Sequence, residues 1–285
     1  MNNYKIAKKV LAFNYHYDDY FKNNIEKYRI SNDVSIDVTI DIQLCDAIDV
    51  SNKVPYLVQG NRKYYEYDHY KQLDVYTKDN KISTSIVHTE DYSHTTIKLA
   101  KSLNTKLPEQ EYVLSGLVFM EYCIRQGIIP IHASAVLYQG EVILFSAPSQ
   151  TGKSTHASLW ETFIEGAKIM NDDKPLIITE NHRFMITSAP FSGKRTINDN
   201  HVYPLKAIVF ISQGNPMIHK LDLKDSLNFL LKNTLRPSDT SSWQNISSTL
   251  DQLIRTIPFY HLQADISKDS VYTVIDTVYK KNKTP

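Results

Sequence analysis

The stretch SAPSQTGKST, residues 146 to 155, constrains this chain more than any other segment. The apolar run Val142 to Phe145 delivers the backbone to a loop ending Gly152-Lys153-Ser154-Thr155, and a helical pattern with Ala157, Trp160, Phe163 and Ile164 follows directly. Strand, loop and helix start in that order form the context a phosphate-binding P-loop requires. The N–H groups of the loop and of the first helical turn have no intrahelical partners, so they converge on one place, and the helix dipole favours negative charge there. Lys153 adds a full positive charge for β- and γ-phosphates, and Ser154 offers a hydroxyl to Mg²⁺. The expectation is that Ser149, Gln150, Thr151, Gly152, Lys153, Ser154 and Thr155 hold a nucleoside triphosphate. The pattern is imperfect: Ala147 stands where the leading glycine is usual, and Gln150 replaces a further glycine. The plainer reading is a strand-to-helix turn capped by a hydroxyl.

A second element follows one strand later, at Asn171-Asp172-Asp173 after the apolar AKIM. Carboxylates at the carboxyl end of a core strand project beside the ligand in open α/β sheets. One of the two can hold Mg²⁺ and the other can accept a proton from an attacking hydroxyl. Without the loop upstream, Asp-Asp before Lys174-Pro175 reads as a turn. Lys194 and Arg195, in PFSGKRT, lie on a loop after a strand, from which a mobile cation can reach a transferring phosphate. The bland alternative for them is a solvated loop. Arg236, before Pro237, is expected to bond helix carbonyls.

The rest of the chain supplies organisation. YRISNDVSIDVTIDIQL alternates Val34, Ile36, Val38 and Ile40 with polar residues, which predicts a half-buried antiparallel strand. Further strands are expected near Tyr64 to Tyr70, Leu73 to Tyr76 and Ile82 to His88, so residues 1–105 form a small β-rich or α+β domain with no cluster of reactive residues. Pro108 opens a helix that Gly127 stops. Hairpins are expected around Tyr138-Gln139-Gly140-Glu141, around Glu180-Asn181-His182, and between Leu205–Ser212 and Met217–Leu221. Helices at Asp222 to Leu235, Ser242 to Thr256 and Ser267 to Tyr279 complete the chain, with FYHLQA a late strand.

Composition narrows the function classes. Lys plus Arg 32 against Asp plus Glu 31 leaves +1, which argues against duplex nucleic acid as the partner. With 42% hydrophobic and 22% charged residues, the 285-residue chain can bury a core, and no run approaches the roughly 20 apolar residues of a membrane span. No signal peptide is read at the start. The two cysteines, Cys45 and Cys123, suit reduced thiols, and the expected location is cytoplasmic.

The order His-Ala-Ser, hairpin, P-loop, helix, strand and Asp-Asp, quoted as IHASAVLYQGEVILFSAPSQTGKST and AKIMNDDKPLI, resembles the HPr kinase/phosphorylase and phosphoenolpyruvate carboxykinase superfamily over roughly residues 110 to 265. It looks closest to the HPr-kinase-like peptide serine kinases of peptide-modification clusters; PFSGKRT followed by YPLKAIVFIS resembles that branch too. The resemblance implies an α/β (α+β) P-loop kinase core with a mixed sheet and flanking helices over residues 106–285, beside the β-rich domain 1–105. It implies ATP and Mg²⁺, Lys153 and Ser154 as phosphate and metal contacts, Asp172 and Asp173 as base and metal partner, and His132 near the phosphates. Read without it, a histidine in an apolar strand is a core residue bonded to a backbone carbonyl. The expected activity is transfer of a γ-phosphoryl group to a Ser or Thr hydroxyl of a peptide or protein. A small-molecule hydroxyl such as free serine, and a nucleotide-binding regulatory protein without turnover, are the alternatives. Oligomeric state stays open, a homo-oligomer included.

Overall fold

The structure, a computed structural model, describes residues 1–148, 151–191, 197, 199–237 and 239–279, with residue 241 described by its backbone alone. The chain forms two compact units, Met1–Tyr122 and Cys123 onward. The boundary falls inside one helix.

The first unit contains β1 (Asn2–Ile6), β2 (Lys9–Phe13), α1 (Asp18–Ile25), β3 (Arg29–Ile30), β4 (Val38–Cys45), β5 (Leu57–Gln59), β6 (Arg62–Glu66), β7 (Lys71–Tyr76), β8 (Ile82–His88) and β9 (His94–Ala100). They make one sheet in the order β3-β1-β2-β4-β9-β8-β7-β6-β5. Its core gathers Tyr4, Phe13, Phe21, Tyr28, Ile40 and Ile97. Helix α2 (Leu107–Arg125) then leads into the second unit.

The alternating run in this unit departs from expectation twice. The strand starts only at Val38; Val34 and Ile36 precede it and are 39% and 49% exposed. It is also parallel, to β2 on one side and β9 on the other. Asp37 explains the late start. Its N–H donates to the Val10 carbonyl at 3.0 Å and its carboxylate accepts the Val10 N–H at 2.8 Å, so the chain is clamped to the start of β2 before the ladder begins. Parallel pairing needs a crossover, which α1 and β3 supply before β4, and the strands β5 to β8 supply before β9.

The second unit contains β10 (Ile129–Pro130), β11 (Ala133–Tyr138), β12 (Glu141–Ser146), α3 (Lys153–Phe163), β13 (Lys168–Asp173), β14 (Leu176–Glu180), β15 (Arg183–Thr187), β16 (Val202–Gln213), β17 (Met217–Lys220), α4 (Leu223–Asn233), α5 (Thr240–Thr256), β18 (Phe259–Ala264) and α6 (Lys268–Val278). Its mixed sheet runs β10-β14-β15-β16-β12-β11-β13, with β18 on β16 and β17 on β18. Both faces are covered. Val142 and Leu144 of β12 join an apolar cluster with Leu230 of α4 and Leu250 of α5, while Ile143 and Phe145 join another with Trp160 of α3 and Val271 of α6. That is why VILF is a continuous apolar run: successive side chains enter opposite cores, as in strands buried on both sides. Phe145 is fully buried, and truncation to alanine there would cost about 3–5 kcal/mol.

The expected hairpins β11–β12 and β14–β15 form. The one expected between β16 and β17 does not. β18 inserts between them, parallel to β16 and antiparallel to β17, because its apolar Phe259 and Leu262 fill the two cores that flank β16. Helices α4 and α5 start on Asp222 and Asp239, whose carboxylates accept the N–H of Asp225 and Ser242, each at 2.8 Å.

Candidate functional site

β12, α3, β11 and β13 bring most of the expected residues together. β12 ends at Ser146 and α3 starts at Lys153, with Gly152 as its N-cap at φ +110°. A Cβ at Gly152 would meet nothing within 4 Å, so glycine is needed there for its backbone angle and not for space. The loop folds on itself: Thr151 N–H points to the Pro148 carbonyl at 3.3 Å.

Strand β13 runs beside β11, with Ser134 opposite Asp172 and Ala133 opposite Asp173. That register places the two carboxylates at the end of α3 where N–H groups are unpaired. Asp172 Oδ1 accepts two hydroxyls, from Ser154 at 2.9 Å and from Ser134 at 2.6 Å. First helical turn, β11 and β13 thus meet on one carboxylate oxygen. Asp173 Oδ1 lies 3.3 Å from His132 Nε2, and its Oδ2 lies 3.8 Å from Lys174 Nζ. Asp173 has φ +122°, a costly backbone angle for a residue with a Cβ. The bend is fixed by buried Asn171, whose side-chain oxygen accepts the Lys174 N–H at 3.1 Å.

Charge follows from these contacts. Burial pushes the Asp173 carboxyl up, but the His132 hydrogen bond and the charges of Lys174, His132 and Lys153 together outweigh it and hold the group below the usual carboxylate range. Lys153 is almost fully buried, and burial pushes its ammonium down while Asp173 and Asp172 pull it back up. Its Nζ donates to the Ala147 carbonyl at 2.9 Å and approaches that of Pro148 at 3.5 Å.

His132 is not a core residue bonded to a carbonyl through its ring. Its side chain is 38% exposed and faces Asp173, while its backbone N–H bonds the Asn233 carbonyl at 2.8 Å. Arg236 does bond a helix carbonyl, that of Leu231, at 3.1 Å. Thr155 lies in the first turn of α3. Ser149, Gln150, Lys194 and Arg195 lie outside the described residues. Two contributors were not singled out from sequence, Ser134 and Asn171. Ser134 stood in the His-Ala-Ser string, but only the β11–β13 register shows that it opposes Asp172.

The donor set suits a hard cation. Ser154 and Asp172 present oxygen only, and Mg²⁺ asks for one or two carboxylates, keeping water elsewhere. Among the described residues no group of three or more His, Cys, Asp or Glu side chains gathers as a metal cage, and no helix is long and apolar enough to cross a membrane.

No family model and no curated protein matches the chain. Among solved structures it is similar to the Hpr(Ser) kinase/phosphatase from Coxiella burnetii, with 11% identity, coverage of 52% of this chain and 92% of that one, and a TM-score of 0.31. The relation to that fold is weak, and the functional reading rests on the site's own residues.

Proposed function

We propose that this protein is a kinase that uses ATP with Mg²⁺ and transfers the γ-phosphoryl group to a Ser or Thr hydroxyl of a peptide or protein. The observation that carries the reading is the 2.9 Å hydrogen bond from Ser154 in the first turn of α3 to Asp172 at the end of β13. P-loop phosphotransferases use this pair of groups, hydroxyl and carboxylate, to hold the metal. Mg²⁺ held by Ser154 and Asp172 would offset phosphate charge during transfer.

The chain's own groups divide the remaining work. N–H groups of residues 151–155 and the Lys153 ammonium hold the phosphates, and Lys194 is assigned as the cation for the transferring group. Asp172 is engaged by two hydroxyls, which leaves Asp173 as the carboxylate that orients the acceptor hydroxyl and takes its proton. The acceptor oxygen bonds to the γ-phosphorus, the bond to the bridging oxygen breaks, and ADP leaves with that electron pair. His132, 3.3 Å from Asp173, fixes the base in place. Residues 1–105 would recognise the acceptor, since the groups assigned to phosphate handling all lie between His132 and Lys194.

The test is incubation with ATP and Mg²⁺ and a panel of Ser- and Thr-containing peptides, with free serine as a separate arm, read by mass spectrometry for a phosphate adduct. A phosphopeptide supports the reading. Phosphoserine alone moves the acceptor to small molecules, and ATP binding without any adduct would leave a nucleotide-binding regulator.

A further inference from the structure

Lys153 and His156 lie three residues apart on α3, so they share a face of the helix. His156 Nε2 receives the indole N–H of Trp160 at 3.3 Å. An indole nitrogen only donates, so Nε2 carries no proton and the ring proton sits on Nδ1. That Nδ1–H has no hydrogen-bond partner, although the residue is only 3% exposed. A buried donor without an acceptor is uncommon and unfavourable, so its persistence calls for a compensating role. Its apolar neighbours offer none: the ring stands edge-on to Phe145 at 4.7 Å, in a region built from Ala147, Ala157 and Trp160. Yet the backbone carbonyl of Ala147, two residues beyond Phe145, is the group that now holds the Lys153 ammonium.

We infer that His156 is a positioning residue that takes over the Ala147 carbonyl when Lys153 leaves it for a phosphate. The inference rests on the reading of this loop as a triphosphate site. In the structure the Ala147 carbonyl is bonded and the His156 N–H is not. Once an anion draws Lys153 away, the carbonyl would be left unpaired as well. A hydrogen bond from Nδ1 to the Ala147 oxygen removes both deficits at once, so the lysine is released more readily. His156 thereby raises affinity for phosphate without touching it, and no covalent bond changes.

The test measures ATP affinity by calorimetry on the full chain, with thermal midpoints and imidazole ¹⁵N spectra alongside. His156→Phe keeps a flat ring and removes the donor. Its Kd for ATP is expected to rise about tenfold, equivalent to about 1.4 kcal/mol, beside the fall in thermal midpoint that both variants share because the buried Trp160 indole N–H loses its acceptor. His156→Asn, whose amide donates from near the Nδ1 position, should return affinity to within about threefold of the parent. In the parent, the Nδ1 resonance should be that of a protonated nitrogen and should shift on adding ATP. Equal ATP affinity in the parent and His156→Phe overturns the handover alone, as does a parent spectrum with the proton on Nε2. An ATP affinity in His156→Asn no better than in His156→Phe would assign His156 a structural role and overturn the handover. Failure of the parent to bind ATP overturns the handover together with the triphosphate reading.

Discussion

Each unit buries a carboxylate, and the two are treated differently. Glu111 in the first unit is fully buried, and both its oxygens are filled locally. Oε1 accepts the backbone N–H of His16 at 2.8 Å and meets its ring nitrogen at 2.8 Å, while Oε2 accepts the Tyr17 N–H at 3.1 Å. The contacts hold the entry to α1 and connect it to α2. In the second unit Asp172 is tied to hydroxyls that can exchange for a metal, Asp173 sits on a strained backbone, and Lys153 rests on carbonyls it can leave. Glu111, which serves the fold, is closed by its neighbours, whereas the site keeps groups held by contacts that a ligand can replace.

The comparison breaks most sharply at Lys153. Lys153→Ala should lower ATP turnover by roughly 10²-fold or more while the protein stays folded, because the ammonium serves ligand and not core. Parent-level turnover in this variant would return the loop to an ordinary turn. Asp172→Asn and Asp173→Asn should each cost about 10²- to 10⁴-fold in phosphoryl transfer. Only Asp172→Asn is expected to raise the Mg²⁺ concentration needed for half-maximal rate, and a Mg²⁺ titration of both variants decides whether the two carboxylates divide the work as assigned.

Glu111→Gln sharpens the contrast from the other side. It should destabilise the chain by about 1–3 kcal/mol in urea unfolding, since it alters a filled buried site, yet leave ATP affinity unchanged. A large loss of ATP affinity in a folded Glu111→Gln protein would erase the distinction between the two units. The smallest effect is expected at His261 of β18. Burial, and secondarily the neighbouring His219, push its imidazole down, so the unfolded chain binds a proton more readily than the folded one. Stability from this group is therefore full above about pH 6.5 and is lost as pH falls through the folded value. His261→Phe should flatten the acid-side decline in midpoint below about pH 6.5, and an unchanged slope would assign the decline elsewhere.

What was legible in the sequence was what is local. The apolar run Val142 to Phe145, the GKST helix start and the strand ending in Asp172-Asp173 each carry their signal within a few residues, and they occupy the expected elements. Pairing partners are a different matter. Val34 and Ile36 continue the alternation of Val38 and Ile40 with the same chemistry, and only the clamp between Asp37 and Val10 shows where the ladder begins. Parallel neighbours for β4 come from distant segments, so period two indicated a strand without its direction. In the site, Ser134 opposite Asp172 and the Asp173 backbone angle depend on the register of β11 with β13, which no spacing encodes.

The insertion of β18 between β16 and β17 sets a condition on synthesis. Met217 pairs with Gln263 and Lys220 with Tyr260, so β17 leaves the ribosome long before its partner exists. Until then one side of β16, from Ile208 to Gln213, also lacks its parallel neighbour. The nascent second unit therefore carries an apolar, unpaired strand edge while α4 and α5 are being made, and such an edge invites pairing with other chains. Chains released before Phe259 should aggregate, whereas those that extend past Ala264 can close the sheet. The last strand in chain order, β18, completes a position next to the middle of the sheet, which makes this protein intolerant of termination before Phe259 and ties solubility to the synthesis of that strand.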